Sequence, residues 1–485
     1  MKPDRFAEML SAWPTRPGPL HLKLSAAIRE AITQGSLLPG VRLPAERALA
    51  QSLSLSRTTI VTAYGHLRDT GWLESRTGSG TWVSRTHAIG VRSVAHAGTV
   101  SRGSLLNLLQ VNDPSIIDLA MSITEPAADL VEEAMNRAHE DIVNLLRQRI
   151  PMPLGLQSVR KAVADFYTDA GTKTTPEQVL ITTGAQQALS LVTSLFVHRG
   201  DPVLVENPTY FGALEVFRFA GARMSPLPVA RDHVAPDVLA RKIAATHPRL
   251  IYLTPTGHNP SGATMPTEAR QKIARDAESH EVPLIEDETL ADLVLKGSKP
   301  RSIASYSATA PILTIGSLSK LVCCGLRIGW IRGPVSLIHR LAKVKSAADL
   351  GSSHMTQVIA AELFPRLDGI RSQRTVELRA KRDLVLRLLR DRGRQWTFPE
   401  PQGGMSLWMR LANIDTRVLA QVALRHGVSI VPGNLFSVDE SHAEYIRLPF
   451  LLPLDTLKAA VERLLDACDE VEAAPAECEA ECVLV

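Results

Sequence analysis

Residues 316–330 read GSLSKLVCCGLRIGW. A β-branched run, PILTIGS, ends at Ser317, and Lys320 follows between Ser319 and the apolar pair Leu321–Val322. A lysine held among apolar side chains is desolvated, and burial lowers its pKa toward the neutral amine that Schiff-base chemistry needs. Arg327 stands seven residues on, with a planar guanidinium suited to a phosphate. A lone lysine is ordinarily a solvated surface group. The weight of this stretch therefore depends on what precedes it in the chain.

Four more β-branched runs lie upstream: QVLITTG, PVLVENP, RLIYLTP and VPLIEDE, alternating with helical patterns over 186–197 and 267–280. That alternation predicts a mostly parallel sheet covered by helices on both faces, with ligands at the carboxyl ends of its strands. Each run does end in polar residues. TTGAQQAL (182–189) sets Gly184, Ala185 and Gln186 at a strand-to-helix turn, where backbone N–H groups can hold an anion. ENPTY (206–210) ends on Tyr210, TPTGHNPSG (254–262) is a rigid turn aiming Asn259, and LIEDE (284–288) carries Asp287. Taken singly these are a packing glycine, a half-buried tyrosine, a turn amide and a helix cap. Together with Lys320, in one order and at strand spacing, they form a constellation. Farther on, 375–392 reads as one long charged helix, followed by a smaller mixed subdomain in which YIRLPF contains Arg447.

The 485 residues carry 54 Lys+Arg against 50 Asp+Glu, a balance that hides its own distribution. The first 85 residues hold 11 basic and 6 acidic side chains, and the last 20 hold no basic and 7 acidic ones. The basic head is patterned. Leu24, Ala27, Ile28, Ala31 and Ile32 share a helical face, Pro44 opens AERALAQSL, and Ser56 is placed to cap a third helix whose apolar stripe is Ile60, Ala63, Tyr64 and Leu67. WLES and TWVS, joined by RTGSG, then read as a hairpin. Three helices and a basic hairpin predict a winged helix-turn-helix, whose second motif helix enters the DNA major groove. The chain thus divides into a head (1–84), a Ser/Gly/Ala-rich linker (85–115), an α/β body (116–465) and an acidic tail (466–485) expected to lack order. Five cysteines without CxxC spacing exclude a disulfide framework and a zinc site, and no metal is expected. The absence of a signal sequence or a long apolar run points to a reducing cytoplasm and no membrane contact.

Segments 184–187, 206–210, 254–262, 286–287 and 316–327 resemble the fold-type I aminotransferases, which bind pyridoxal 5′-phosphate (PLP). The resemblance implies that Lys320 forms the Schiff base with the cofactor and that Asp287 pairs with its pyridinium nitrogen. Asn259 would donate to the phenolic oxygen and Tyr210 would stack on the ring. Gly184, Ala185, Gln186, Ser317, Ser319 and Arg327 would hold the phosphate, and Arg447 the α-carboxylate of a ligand. The head is similar to the GntR-type winged helix through LPAER, SRTT and TGSGT. That likeness implies that Arg47, Arg57, Thr58 and Thr59 face DNA, with Arg76, Thr77, Gly78 and Gly80 on the wing. A GntR-type head on an aminotransferase-like body is the arrangement of the MocR regulators. It implies a double-stranded DNA operator, a small amino compound as effector and a homodimer.

Three positions depart from the pattern. Thr289 and Leu290 stand where the family often has a tyrosine bonding the phenolic oxygen, so that bond is missing or falls to the Thr289 hydroxyl. Phe211 and Gly212 follow Tyr210, where GABA-sensing members carry an arginine, which argues against GABA as effector. Cys323–Cys324 is read as buried packing. Three functions remain: a PLP-dependent regulator without sustained turnover, favoured by the intact SRTT helix and TGSG wing; an active aminotransferase; and a regulator that senses PLP itself.

Overall fold

A computed structural model of the chain describes residues 19–33, 40–53, 55–76, 80–84, 113–147, 151–230, 233–392, 396–439 and 441–473, with Phe6, Leu10 and Leu37. These fall into two compact units. One holds residues 121–410 and 433–459; the other holds the described residues of 1–120, 411–432 and 460–473.

In the head, helices Leu20–Thr33, Glu46–Ser52 and Arg57–Asp69 precede an antiparallel hairpin of β1 (Leu73–Arg76) and β2 (Gly80–Val83). The apolar stripes close on one core in which Leu24, Ile28, Leu49, Ile60, Tyr64 and Val83 are fully buried. The Tyr64 hydroxyl donates to the Pro44 carbonyl at 3.1 Å, so a phenol in an apolar core is satisfied and fixes the third helix to the turn before the second. The Ser56 Oγ accepts from the Thr59 amide at 3.1 Å and so caps the third helix. Removing that cap with Ser56→Ala costs about 1 kcal/mol. We expect a Tm lower by several degrees for the head, measured by circular dichroism, with the unfolding transition of the α/β unit unchanged.

The other unit is built on an eight-stranded sheet: β3 (Val179–Thr182), β4 (Pro202–Asn207), β5 (Arg223–Ala230), β6 (His233–Val234), β7 (Leu250–Leu253), β8 (Leu284–Asp287), β9 (Ile312–Ser317) and β10 (Gly329–Arg332). Their order across the sheet is β3-β10-β9-β8-β7-β4-β5-β6. The five strands β9, β8, β7, β4 and β5 run parallel, as the alternating pattern predicts. β10 is antiparallel to both of its neighbours, and β6 is an antiparallel edge. Side chains alternate between faces. Val203 and Val205 pack with helices Ala185–Phe196 and Phe211–Phe219, while Leu204, Ile251 and Leu253 pack with helices Pro236–Thr246 and Thr267–Ser279. Both faces are therefore covered, and only the strand ends remain to make a site.

The structure corrects two boundaries. The long charged helix begins at Leu367 and runs to Asp391, because Leu367, Ile370 and Arg374 extend its buried stripe toward the N-terminus. The final helix, Leu454–Ala473, carries the chain eight residues into the stretch expected as a tail, since Ala467 and Cys468 are buried. Ile117–Asp118 pairs with Val428–Ser429, and the Ser429 hydroxyl donates to Asp118 at 2.9 Å, which draws residues 116–120 to segment 411–432. The linker over 85–112 and the tail beyond Ala473 lie outside the described residues.

Candidate cofactor site and nucleic-acid interface

All five strand-end segments meet at the carboxyl edge of the parallel sheet. β3 and the helix Ala185–Phe196 are joined through Gly184, whose φ of 102° lies in the left-handed region. Arg327, itself left-handed at φ 50°, donates from Nη2 to the Thr183 carbonyl at 2.9 Å. A methyl group on Gly184 would lie 3.0 Å from that Nη2, so the guanidinium sits against the helix N-terminus. Free helical N–H groups beside a guanidinium make an anion site. The turn is braced from behind: Gln187 Oε1 accepts from the Thr183 amide at 2.8 Å and from the buried Lys345 at 3.2 Å, and Lys345 in turn pairs with Asp349. Ser317 ends β9 and Ser319 lies on the loop beyond it, with their hydroxyls 3.1 Å apart and the Ser317 hydroxyl donating to the Ile328 carbonyl at 3.0 Å.

Asp287 closes β8 and is buried. Three donors hold its carboxylate: the Tyr252 hydroxyl at 2.7 Å, the Thr289 hydroxyl at 2.7 Å and the Thr289 amide at 3.0 Å. Burial, and next the Asp287 charge, raise the Tyr252 phenol well above its ordinary value, so it remains a donor. Both Thr289 donors are thus turned to Asp287. Tyr252 is the residue that sequence reading missed. Its signal was available: one hydroxyl in an otherwise aliphatic strand needs a partner.

Tyr210 donates to Gln186 Oε1 at 3.2 Å, and its phenol is pushed up to about 12 by burial and then by Asp287. Gln186 therefore orients the Tyr210 ring, and its Nε2 donates to the Gly212 carbonyl at 3.0 Å. A Cβ on Gly212 would come within 2.4 Å of the Tyr210 ring. The space that a side chain at 212 would need is occupied by the Tyr210 ring. Asn259 stands on the turn beyond β7 with its amide oxygen buried.

Lys320 is half-buried, and its Nζ donates to the Ser122 carbonyl at 2.7 Å. Burial, followed by the Arg447 cation, lowers its amine to about 8. Arg447 lies on β12 (Tyr445–Pro449), opposite Trp408 of β11 (Ser406–Arg410). It is buried, with its guanidinium carbon 5.7 Å from the Phe211 ring centre and 5.1 Å from that of Phe436. The structure thus brings together Lys320, Asp287, Tyr210, Arg327 and Arg447, with Asp287, Arg327 and Arg447 each acting on the titration of both Tyr210 and Lys320. Cys323 and Cys324 correct the sequence reading: Cys323 is half-buried and Cys324 exposed, because the loop turns outward before Leu326.

On the head, a cleft of about 420 Å³ gathers Arg42, Arg47, Arg57, Arg68 and Gly80. Arg57 and Thr58 are exposed at the start of the third helix, whereas Thr59 is half-buried with its hydroxyl 2.7 Å from Ser56. Arg57 lies 3.8 Å from Glu46, and Arg68 donates to Ser75 at 3.1 Å. Arg42 and Arg68 were not anticipated: Arg42 directly precedes LPAER and Arg68 lies in the last turn of the helix that SRTT opens, and both meet the hairpin, Arg42 by a bridge to Trp82 and Arg68 through Ser75. Arg76 pairs through its backbone with Gly80. Its side chain, and the wing residues Thr77 and Gly78, lie outside the described residues.

A buried strand-end lysine, a held carboxylate and a guanidinium at a helix N-terminus define a PLP-binding aminotransferase fold, here on a chain with a winged helix-turn-helix head. Residues 116–464 match the family described as Aminotransferase class I and II, and residues 20–83 match bacterial regulatory proteins of the gntR family. The chain belongs to the aminotransferase class I and II family and, with its GntR-type head, to the MocR-like regulators within it. It is 30% identical to the uncharacterized HTH-type transcriptional regulator YisV of Bacillus subtilis, over 93% of this chain and 98% of that one. It is also 30% identical to the probable rhizopine catabolism regulatory protein MocR of Rhizobium meliloti, over 85% and 86%. The body is similar to LysN, an α-aminoadipate aminotransferase of Thermus thermophilus solved with a phosphopyridoxyl-leucine adduct. The TM-score is 0.70 at 27% identity, covering 76% of this chain and 95% of that one. Among the described residues, no helix is long and apolar enough to cross a membrane.

Proposed function

We propose that the protein is a PLP-dependent transcription regulator. A head spanning 1–84 binds a double-stranded operator, and a body from 116 to 465 senses a small amino compound at the Lys320 site. The observation that carries this reading is that one chain holds both a complete cofactor site and an arginine-lined cleft beside a capped helix N-terminus. PLP, when bound, supplies an electron sink for a carbon attached to the amino nitrogen. The chain's own residues do the rest. Gly184, Ala185, Gln186, Ser317, Ser319 and Arg327 would hold the phosphate, Asp287 would pair with the ring nitrogen, Asn259 would donate its amide N–H to the phenolic oxygen and Tyr210 would stack on the ring face. Lys320 would offer the amine, and Arg447 would fix a carboxylate. The approach of the Arg327 guanidinium to Gly184 at the helix N-terminus supports this fit.

The effector reading is one α-carboxylate on Arg447, with no second acid at Gly212. A homodimer would present two heads to a two-fold operator. Sustained aminotransferase turnover is the second reading, favoured by 29% identity to the 2-aminoadipate transaminase of Thermus thermophilus over 76% of the chain. Gel-shift titration on the DNA upstream of the chain's own gene tests the first reading. A sequence-specific shift is expected, weakened about tenfold or more by Arg57→Ala, in line with about 1–3 kcal/mol for a major-groove arginine. Absence of any specific shift, together with steady turnover of an amino acid and a 2-oxo acid, would transfer the function to the enzyme.

A further inference from the structure

Segment Met121–Ala127 crosses the cofactor loop and is fixed to it at several points. Lys320 Nζ donates to the Ser122 carbonyl at 2.7 Å, the Thr124 hydroxyl to the Ser319 carbonyl at 3.4 Å, and the Ala127 amide to the Val322 carbonyl at 3.0 Å. From the other side, Arg374 Nη2 donates to the Glu125 carbonyl at 2.6 Å. Of these bonds, only the first uses a group that the cofactor chemistry consumes. In sequence the segment directly follows residues 85–120, through which the chain arrives from the head.

We propose that the Ser122 carbonyl is the holding partner of the unattached Lys320 amine, so that segment 121–127 is clamped or loosened by the covalent state of that lysine. The proposal rests on the reading that Lys320 carries PLP. On attachment, the neutral amine forms a C=N bond to the aldehyde carbon; the aldehyde oxygen leaves as water with both amine protons. No N–H then remains for Ser122, unless a proton is added to the C=N nitrogen, and such an N–H is directed at the cofactor. An effector amine reverses the state. Its nitrogen takes over the C=N bond and gives its two protons to Lys320, which becomes an amine again and re-forms the bond to Ser122. Effector binding thereby tightens a segment continuous with the linker, while the cofactor alone loosens it. That is a difference between two states that both ligands bias, as coupling requires.

Hydrogen–deuterium exchange on the full-length protein tests this, with the peptide spanning 121–131 as readout and hydroxylamine as the probe amine. PLP-loaded protein is expected to exchange about tenfold faster in this peptide than cofactor-free protein, the scale of one lost hydrogen bond. Hydroxylamine, which takes the aldehyde from any lysine, should restore slow exchange. Lys320→Arg retains a donor but cannot attach, and should be slow with or without PLP; Lys320→Ala should be fast in both. Equal exchange in loaded and cofactor-free wild type, or slow exchange in Lys320→Ala, would overturn the proposal. If loaded wild type showed no lysine-attached cofactor in its absorbance, the site reading itself would fail instead.

Discussion

Lys320→Ala is expected to abolish the absorbance of attached PLP entirely and to leave only weak, non-covalent binding. The lost affinity is on the order of 100-fold, or about 2.7 kcal/mol. Burial and the nearby Arg447 cation both disfavour the charged form, which places the amine near 8. At pH 8 about half of such amines are neutral, against roughly 0.3% of an ordinary lysine. Only the neutral form attacks an aldehyde, so the lowered pKa enlarges the reactive fraction over neutral and mildly alkaline pH. Attachment rate should rise with pH and level off above about 8 in the wild type. Arg447→Gln removes the second cause, so the amine should titrate higher and the plateau should move to higher pH. Stopped-flow absorbance across pH 6.5–9.5 reads both effects. A wild-type rate still climbing steeply at pH 9.5 would contradict the assignment. Asp287, Tyr210 and Arg327 remain in Lys320→Ala, and so the residual binding should persist rather than vanish.

Much of this site was legible because its residues lie where strand periodicity ends. The runs ending at Thr182, Asn207, Leu253, Asp287 and Ser317 are all strands, and adjacent parallel strands necessarily bring their carboxyl ends together. The head was legible for a similar reason: a helical stripe such as Ile60, Ala63, Tyr64 and Leu67 has only one way to face a core. What the sequence concealed were contacts set by pairing across distant segments. Tyr252 reaches Asp287 from the neighbouring strand, Ser122 reaches Lys320 across 198 positions, and Gln187 supports the phosphate turn together with a lysine 158 positions away. No local pattern encodes such partners, because they are fixed by strand order and loop course. The pairing of Ile117–Asp118 with residues more than 300 positions on was hidden for the same reason.

Gly329→Ala is expected to displace the turn at the helix N-terminus and weaken PLP binding through a single methyl. β10 runs antiparallel beside β3, with Gly329 opposite Thr182 at the very end of the pair. A Cβ there would come 2.7 Å from the Gly184 carbonyl carbon, 2.8 Å from its Cα and 2.9 Å from the Ala185 nitrogen. All three are backbone atoms of the turn placed for the phosphate, so no side-chain rotation can relieve the clash. The turn must shift, and it is held on the far side by Gln187 and above by Arg327, whose own left-handed backbone lies two residues from the substitution. Overpacking of this kind costs about 1–3 kcal/mol in stability. Displacing N–H donors aimed at a phosphate should weaken PLP binding by a further factor on the order of 100. Gly325→Ala, on the same loop, is the control, since its Cβ would meet only the Cys323 sulfur at an ordinary 3.5 Å. Spectroscopic PLP titration of both variants separates the outcomes. Loss of affinity in Gly329→Ala with wild-type binding in Gly325→Ala is expected, whereas equal affinity in the two would mean that the β3–β10 approach does not shape the phosphate turn.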